Sequence, residues 1–124
     1  MILVDTSVWV DHFKSGNVTL EALLDIGSVL IHPFVVGELA LGTLPQRVEV
    51  LKALDDLPMA SVASNEEVRR FIEDHGLFGR GVGYVDVHLL AAVRLTRETE
   101  LWTHDRRLRT IAEQFGSDFT PPAS

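Results

Sequence analysis

The chain has 124 residues, of which 46% are hydrophobic and 23% are charged. This size suits one ordinary domain, and the composition is that of a globular protein and not of a disordered or fibrous one. There is no cysteine, so disulfides and thiolate metal ligands are excluded. No apolar run reaches the ~20 residues of a membrane span, and a signal-peptide pattern is lacking at the start. We therefore expect a cytoplasmic protein that does not engage a membrane.

The net charge is −7, which argues against broad electrostatic attraction to nucleic acid. The charges are unevenly distributed: residues 1–62 hold three basic and eight acidic side chains, whereas residues 80–109 hold six arginines and four acids. This second segment is the natural place for phosphate contacts, and our candidates are Arg80, Arg106 and Arg107. A solvated helix surface of mixed charge is an equally good interpretation of each arginine.

Short apolar runs alternate with helical patterns along the chain. Residues 2–4 predict a strand, and Thr6 and Ser7 are candidate N-caps for a helix that continues to Lys14. The later predicted strands cover 28–31, 59–62, 100–103 and, as a short strand, 117–119. The later predicted helices run over 18–26, from Pro33 to near Gly42, from Pro45 to Leu54, from a Ser64 and Glu67 capping box to Gly76, over 84–98 and over 105–115.

This alternation predicts an α/β fold, a three-layer α/β/α sandwich with a central parallel sheet and right-handed crossovers. We expect a single domain over 1–119 and a mobile C-terminal tail over 120–124. The glycine-rich segment 77–83 follows a helix and not a strand, so it indicates flexibility and not a dinucleotide site.

Acidic residues fall where such a sheet places its ligand sites, at the carboxyl ends of the strands. Asp5 ends the first predicted strand, and Asp105 follows the strand over 100–103. Glu38 and Asp86 have apolar neighbours three and four residues away on their helices, so their carboxylates rise from apolar faces. Each acid, taken singly, could pair with an arginine or cap a helix. Four carboxylates at one edge would repel one another unless a cation neutralised them, which favours Mg²⁺ or Mn²⁺ and phosphodiester hydrolysis.

At this point the sequence resembles the PIN-domain family, in particular the VapC-type toxins of prokaryotic toxin–antitoxin pairs. The resemblance spans nearly the whole chain and depends on the order and spacing of four motifs. They are ILVDTSVW over 2–9, Pro33-x4-Glu38-Leu, Asp86-x4-Ala91, and LWTHD over 101–105.

The resemblance implies a PIN-like domain and an endoribonuclease that uses metal-activated water and leaves 5′-phosphate and 3′-hydroxyl ends. It implies that one or two Mg²⁺ or Mn²⁺ ions are bound by the four acids, Asp5, Glu38, Asp86 and Asp105. It also implies supporting roles for the polar residues Thr6, Ser7 and Thr103, although helix capping explains Ser7 equally well. The implied partners are an RNA substrate, a cognate VapB-type antitoxin and a second copy in a homodimer.

Two other classes of Mg²⁺-binding protein fit less well. A phosphoacceptor receiver domain needs an acid after its third strand, and residues 59–64 supply none. A haloacid-dehalogenase-type phosphatase needs Asp-x-Asp after its first strand, and here the second position is Ser7. A binding module without nuclease activity remains open. Lesser features are His88 and His104, which are more simply structural, and the Trp9 and Phe13 pair, which favours core packing over a partner groove.

Overall fold

A computed structural model describes residues 1–122, and the last two residues of the predicted tail, Ala123 and Ser124, lie outside the described residues. The strands are β1 Ile2–Val4, β2 Val29–Leu30 and β3 Glu100–Trp102. The helices are α1 Thr6–Ser15, α2 Val18–Asp25, α3 Pro33–Leu41, α4 Arg47–Asp55, α5 Asn65–His75, α6 Tyr84–Leu95 and α7 Arg106–Gln114. In this part of the chain no helix is long and apolar enough to cross a membrane.

The sheet is parallel, with β1 in the centre and the strand order β2-β1-β3. Ile2 pairs with Val29 on one side and with Glu100 on the other. Strands that neighbour others on both sides and are covered by helices read as continuous apolar runs, and Leu3 and Val4 are accordingly fully buried. The predicted α/β class, with a parallel sheet flanked by helices, is confirmed.

Two predicted strands are wrong in extent. The segment 59–62 makes one parallel bridge, between Met59 and Ile31, and the segment 117–119 makes one, between Asp118 and Leu101. The first ladder does not extend because the next backbone N–H, that of Ser61, donates to Oγ1 of Thr96 at 3.0 Å and not to a neighbouring strand.

Helix bounds also differ from the predictions, for local reasons. The sixth helix ends at Leu95 and not at 98, because Thr96 is extended and its Oγ1 donates to the carbonyl of Ala92 at 2.7 Å. The fourth helix begins at Arg47 and not at Pro45, because Gln46 between them has a left-handed backbone with φ of 47°. The N-cap of α1 is Asp5, and neither Thr6 nor Ser7 takes that place.

Two buried histidines lie between α3 and α6. His32 caps α3, and its Nδ1 accepts from the backbone N–H of Phe34 at 3.1 Å. His88 on α6 bonds through Nε2 to Oδ1 of Asn65 at 3.2 Å. The two ring centroids are 6.3 Å apart. Burial, with a smaller effect of His88, lowers the pKa of His32 from 6.5 to about 4, and burial lowers the pKa of His88. Both rings are therefore neutral at pH 7.

We predict that the neutral His32 makes the fold acid-sensitive. The unfolded chain binds a proton at this residue below about pH 6.5, whereas the folded chain resists protonation down to about pH 4. The free energy of unfolding therefore falls as the pH drops through this window and is unaffected by His32 above it. In His32→Asn the side chain still caps α3 but cannot be protonated. Urea unfolding should show the unsubstituted protein losing about 3 kcal/mol more than the variant between pH 7 and pH 4. Parallel pH profiles would contradict the prediction.

Candidate active site

Asp5 lies at the end of the central strand and is 6% exposed. Its backbone N–H donates to the carbonyl of Trp102 at 2.9 Å, which continues the pairing of β1 with β3. Although Asp5 is the N-cap residue of α1, its side chain makes no capping bond. Its Oδ2 accepts instead from Ser7 Oγ at 2.7 Å and from Thr103 Oγ1 at 2.8 Å. These hydroxyls replace the water that burial removes and fix the direction of the carboxylate.

The same two hydroxyls connect Asp5 to the segment that follows β3. Ser7 Oγ accepts from the backbone N–H of His104, and Thr103 Oγ1 accepts from that of Asp105, both at 3.0 Å. Asp105 is the N-cap of α7, and its Oδ1 accepts from the N–H of Leu108 at 2.9 Å. The backbone around Asp105 is therefore tied to the hydroxyls that orient Asp5.

The other two predicted acids come from helices. Glu38, exposed on α3, accepts at Oε1 from Thr6 Oγ1 at 2.7 Å. Asp86, half-buried in the first turn of α6, accepts at Oδ2 from the backbone N–H of Gly83 at 3.1 Å. Each supporting residue thus donates a hydrogen bond to an acid: Thr6 donates to Glu38, whereas Ser7 and Thr103 donate to Asp5.

The four carboxylates act on one another electrostatically. Burial raises the pKa of Asp86, and the charges of Asp5, Asp105 and Glu38 raise it further, while the hydrogen bond from Gly83 opposes the change. Among residues 1–122, however, no three His, Asp or Glu side chains are arranged closely enough to hold a metal ion as they stand. Repulsion opposes a closer approach of bare carboxylates.

One pattern is common to all four acids. Each uses one carboxylate oxygen in a hydrogen bond, and within residues 1–122 its other oxygen makes none. The occupied atoms are Oδ2 of Asp5, Oε1 of Glu38, Oδ2 of Asp86 and Oδ1 of Asp105. The bonded oxygen orients each side chain, and the second oxygen is available to a ligand.

The three candidate phosphate-contacting arginines have different surroundings. Arg80 donates to Oε1 of Gln114 at 3.0 Å, and Arg107 donates to the carbonyl of Gly81 at 3.5 Å. Arg106 is exposed, and its side chain makes no hydrogen bond within residues 1–122. Arg80 and Arg107 thus fasten the glycine-rich segment to α7, and Arg106 is the least engaged of the three.

Sequence reasoning missed two contributors to this edge. Gly83 holds Asp86 through its backbone, and the spacing of three residues at a helix start, typical of a capping contact, could have indicated it. His104 lies 2.6 Å through Nδ1 from Oδ2 of Asp11 on α1. No sequence pattern joins these two residues, because they are far apart in the chain.

The chain matches the PIN domain family over residues 2–114 and belongs to that family. It is similar to proteins named Ribonuclease VapC32 from two strains of Mycobacterium tuberculosis, CDC 1551 / Oshkosh and ATCC 25618 / H37Rv. Each is 42% identical over 116 residues, which cover 94% of this chain and 94% of the relative. The predicted family is confirmed, and it replaces the receiver and phosphatase alternatives.

We predict that a side chain at Gly81 displaces the side chain of Arg107 from the glycine-rich segment. Its φ is +79°, and a Cβ there would lie 2.5 Å from Nη1 of Arg107. Gly79 has a similar φ of +71° but open space around it, which makes it a matched control. Gly79→Ala should cost about 1–2 kcal/mol of unfolding free energy from the left-handed backbone alone. Gly81→Ala should cost up to about 1 kcal/mol more, because the exposed side chain of Arg107 must move aside and give up its bond to the carbonyl of Gly81.

The double variant Gly81→Ala, Arg107→Ala separates the two costs. Removing the guanidinium should bring the loss caused by Gly81→Ala back towards that of Gly79→Ala, measured by urea unfolding. Additive losses in the double variant would show that Arg107 is not the obstacle.

Proposed function

We propose that this protein is a metal-dependent endoribonuclease, the toxin of a VapC-type toxin–antitoxin pair. In this proposal Asp5, Glu38, Asp86 and Asp105 hold Mg²⁺ or Mn²⁺, and RNA is cut to 5′-phosphate and 3′-hydroxyl ends. The observation that carries it is that each of the four acids keeps one oxygen without a hydrogen bond while the other is fixed. The similarity to proteins named as ribonucleases supports the choice of substrate.

The donor set fits a hard divalent cation. All four groups are carboxylates, which Mg²⁺ and Mn²⁺ prefer, and the chain has no cysteine that would favour softer metals. Burial raises the pKa of Asp86, and the charges of the three neighbouring carboxylates raise it further, so a cation among them would relieve a repulsion that the protein otherwise bears. When bound, such an ion supplies Lewis acidity towards the phosphate and lowers the pKa of water.

The chain's own residues position the reaction and do not supply its nucleophile. The hydroxyls of Ser7 and Thr103 donate to Asp5, so their protons are already committed to a carboxylate. His104 is engaged with Asp11, and His88 is buried. With no protein nucleophile and no free histidine base among the four acids, the proposal takes water as the attacking group in place of the 2′-hydroxyl of the RNA, which then stays intact.

We expect RNA cleavage to require added Mg²⁺ or Mn²⁺ and to stop with EDTA. The products, resolved by end-specific labelling, should carry a 5′-phosphate and a 3′-hydroxyl. Cleavage that persists in EDTA, or a 2′,3′-cyclic phosphate end, would contradict the mechanism.

We expect Asp5→Asn to lose activity without losing its fold. Its amide oxygen can still accept from the two hydroxyls, so the fold survives, but a charged metal ligand is gone. Turnover should fall at least about a hundredfold, against no change in Asp25→Asn, an exposed acid at the end of α2.

The second part of the proposal is inhibition by a VapB-type antitoxin that places an arginine against the carboxylates. Guanidinium binds carboxylate oxygens in bidentate fashion and would use the same four free oxygens as a metal. An apolar groove of about 280 Å³ leads away from Glu38 between α1 and the end of α3. Phe13 lines it, whereas Trp9 is only 2% exposed and is stacked against Phe13 at 5.9 Å. Phe13 is therefore the anchor for the antitoxin, and Trp9 acts through its packing.

We predict that antitoxin and metal compete. In titrations by calorimetry, the affinity of the antitoxin should fall as Mg²⁺ is added, because both occupy the same oxygens. Phe13→Ala should weaken antitoxin binding without abolishing this competition. An affinity that Mg²⁺ never changes would remove the arginine from the proposal, and normal binding by Phe13→Ala would remove the groove.

A homodimer is also part of the proposal, and light scattering of the protein without antitoxin tests it.

A further inference from the structure

Two large aromatic rings remain partly exposed beside the carboxylates. Phe34 is 37% exposed and Tyr84 is 45% exposed. The buried ring of His88 lies against both, with centroid distances of 4.7 Å to each and interplanar angles of 65° and 85°. Phe34 also lies against His32 at 5.1 Å. These rings therefore form one aromatic cluster whose outer members face solvent.

The cluster is held in place by hydrogen bonds and not only by packing. The hydroxyl of Tyr84 donates to Oδ1 of Asn65 at 2.9 Å, and Nε2 of His88 bonds to the same oxygen at 3.2 Å. The backbone N–H of Phe34 donates to His32. Exposed rings fixed in this way lose little conformational entropy when a flat ligand packs on them.

The position of the cluster relates it to the four acids. Phe34 precedes Glu38 by four residues on α3, so the two side chains lie on one face of that helix. Tyr84 and Asp86 both belong to the first turn of α6, at the end of the helix that meets the carboxylates. Phe34 thus lies next to Glu38, and Tyr84 joins the same cluster through the ring of His88, at the start of the helix that carries Asp86.

The negative charge of the protein limits how much of the binding energy for RNA can come from phosphate contacts. With a net charge of −7 and an acidic cluster at the site, attraction to phosphate can supply little of the binding energy for RNA. Stacking of a base on an aromatic ring does not depend on net charge and contributes about 1–3 kcal/mol per base. Unpaired bases of RNA are commonly bound in this way.

We propose that Phe34 and Tyr84 form a nucleobase-binding subsite, on which an unpaired base of the RNA substrate stacks next to the phosphate to be cut. The inference rests on the proposed ribonuclease function and adds to it the part of the substrate that is held. Because stacking accepts every base, the subsite positions the strand and contributes affinity more than sequence choice.

Single-stranded RNA carrying 2-aminopurine tests the subsite, since the fluorescence of this base is quenched on stacking. Binding is measured on the Asp5→Asn background, which prevents cleavage. Phe34→Leu keeps the apolar bulk against His32 but removes the aromatic face, and should weaken binding about 5- to 100-fold and reduce quenching. Phe34→Tyr should bind within about twofold of the parent. Phe78→Leu is the matched control, because Phe78 is 66% exposed and no other aromatic ring in residues 1–122 packs against it.

Tyr84→Leu gives an independent reading of the second ring, with thermal unfolding as a check that each variant is folded. The subsite is disproved if both leucine variants bind and quench as the parent does, or if the parent binds no RNA. It is also disproved if the leucine variants lose self-association instead of RNA binding, since the rings then cover a second copy. The proposed function fails separately, when the unsubstituted protein with Mg²⁺ leaves RNA uncut. Normal cleavage with unaffected leucine variants therefore overturns the subsite alone.

Discussion

The site depends on the cost of keeping a carboxylate buried at the end of the central strand. Asp5 is nearly enclosed, and a carboxylate in that position is stable only if hydrogen bonds replace its lost water. Ser7 and Thr103 provide them from two distant parts of the chain, and the same hydroxyls accept from the backbone beyond β3. The hydrogen bonds of the Asp5 carboxylate thus fix how α1 and the end of β3 meet, and the remaining acids lie around this contact.

The other three acids are oriented in the same way, by a hydrogen bond to one carboxylate oxygen. Thr6 holds one oxygen of Glu38, and backbone N–H groups at two helix starts hold one oxygen each of Asp86 and Asp105. Such bonds stabilise a charged carboxylate and also set its direction. Repulsion among the acids persists, since the charges of the other three add to the effect of burial in raising the pKa of Asp86. The arrangement stores an electrostatic strain that a cation or a guanidinium would relieve.

Much of the fold could be predicted from sequence because local signals were strong. Apolar runs, proline and glycine positions and the capping box of Ser64 set most elements within a few residues. The strands at 59–62 and 117–119 could not be delimited, because the length of a ladder depends on which N–H groups a distant partner can reach. Two of the acids could be picked out by their apolar neighbours and two by their strand ends. The resemblance named the supporting hydroxyls, but which acid each of them orients could not be predicted. The hydrogen bonds of Arg80 and Arg107 could not be predicted either, because their partners lie 26 or more residues away in the sequence.

The pairing of the first strand with β3 also determines when the protein can become active during synthesis. Thr103, which orients Asp5, lies 98 positions after it and is therefore synthesised later. Contacts of such large sequence separation form late in folding, and here one of the partners does not exist until the residues between the two have been made. A nascent chain that has not yet reached Thr103 therefore holds Asp5 without one of the hydroxyls that orient it, and it lacks Asp105 altogether. The acidic edge of the sheet is completed only after β3 and the start of α7 have been synthesised, so its chemistry cannot begin before then.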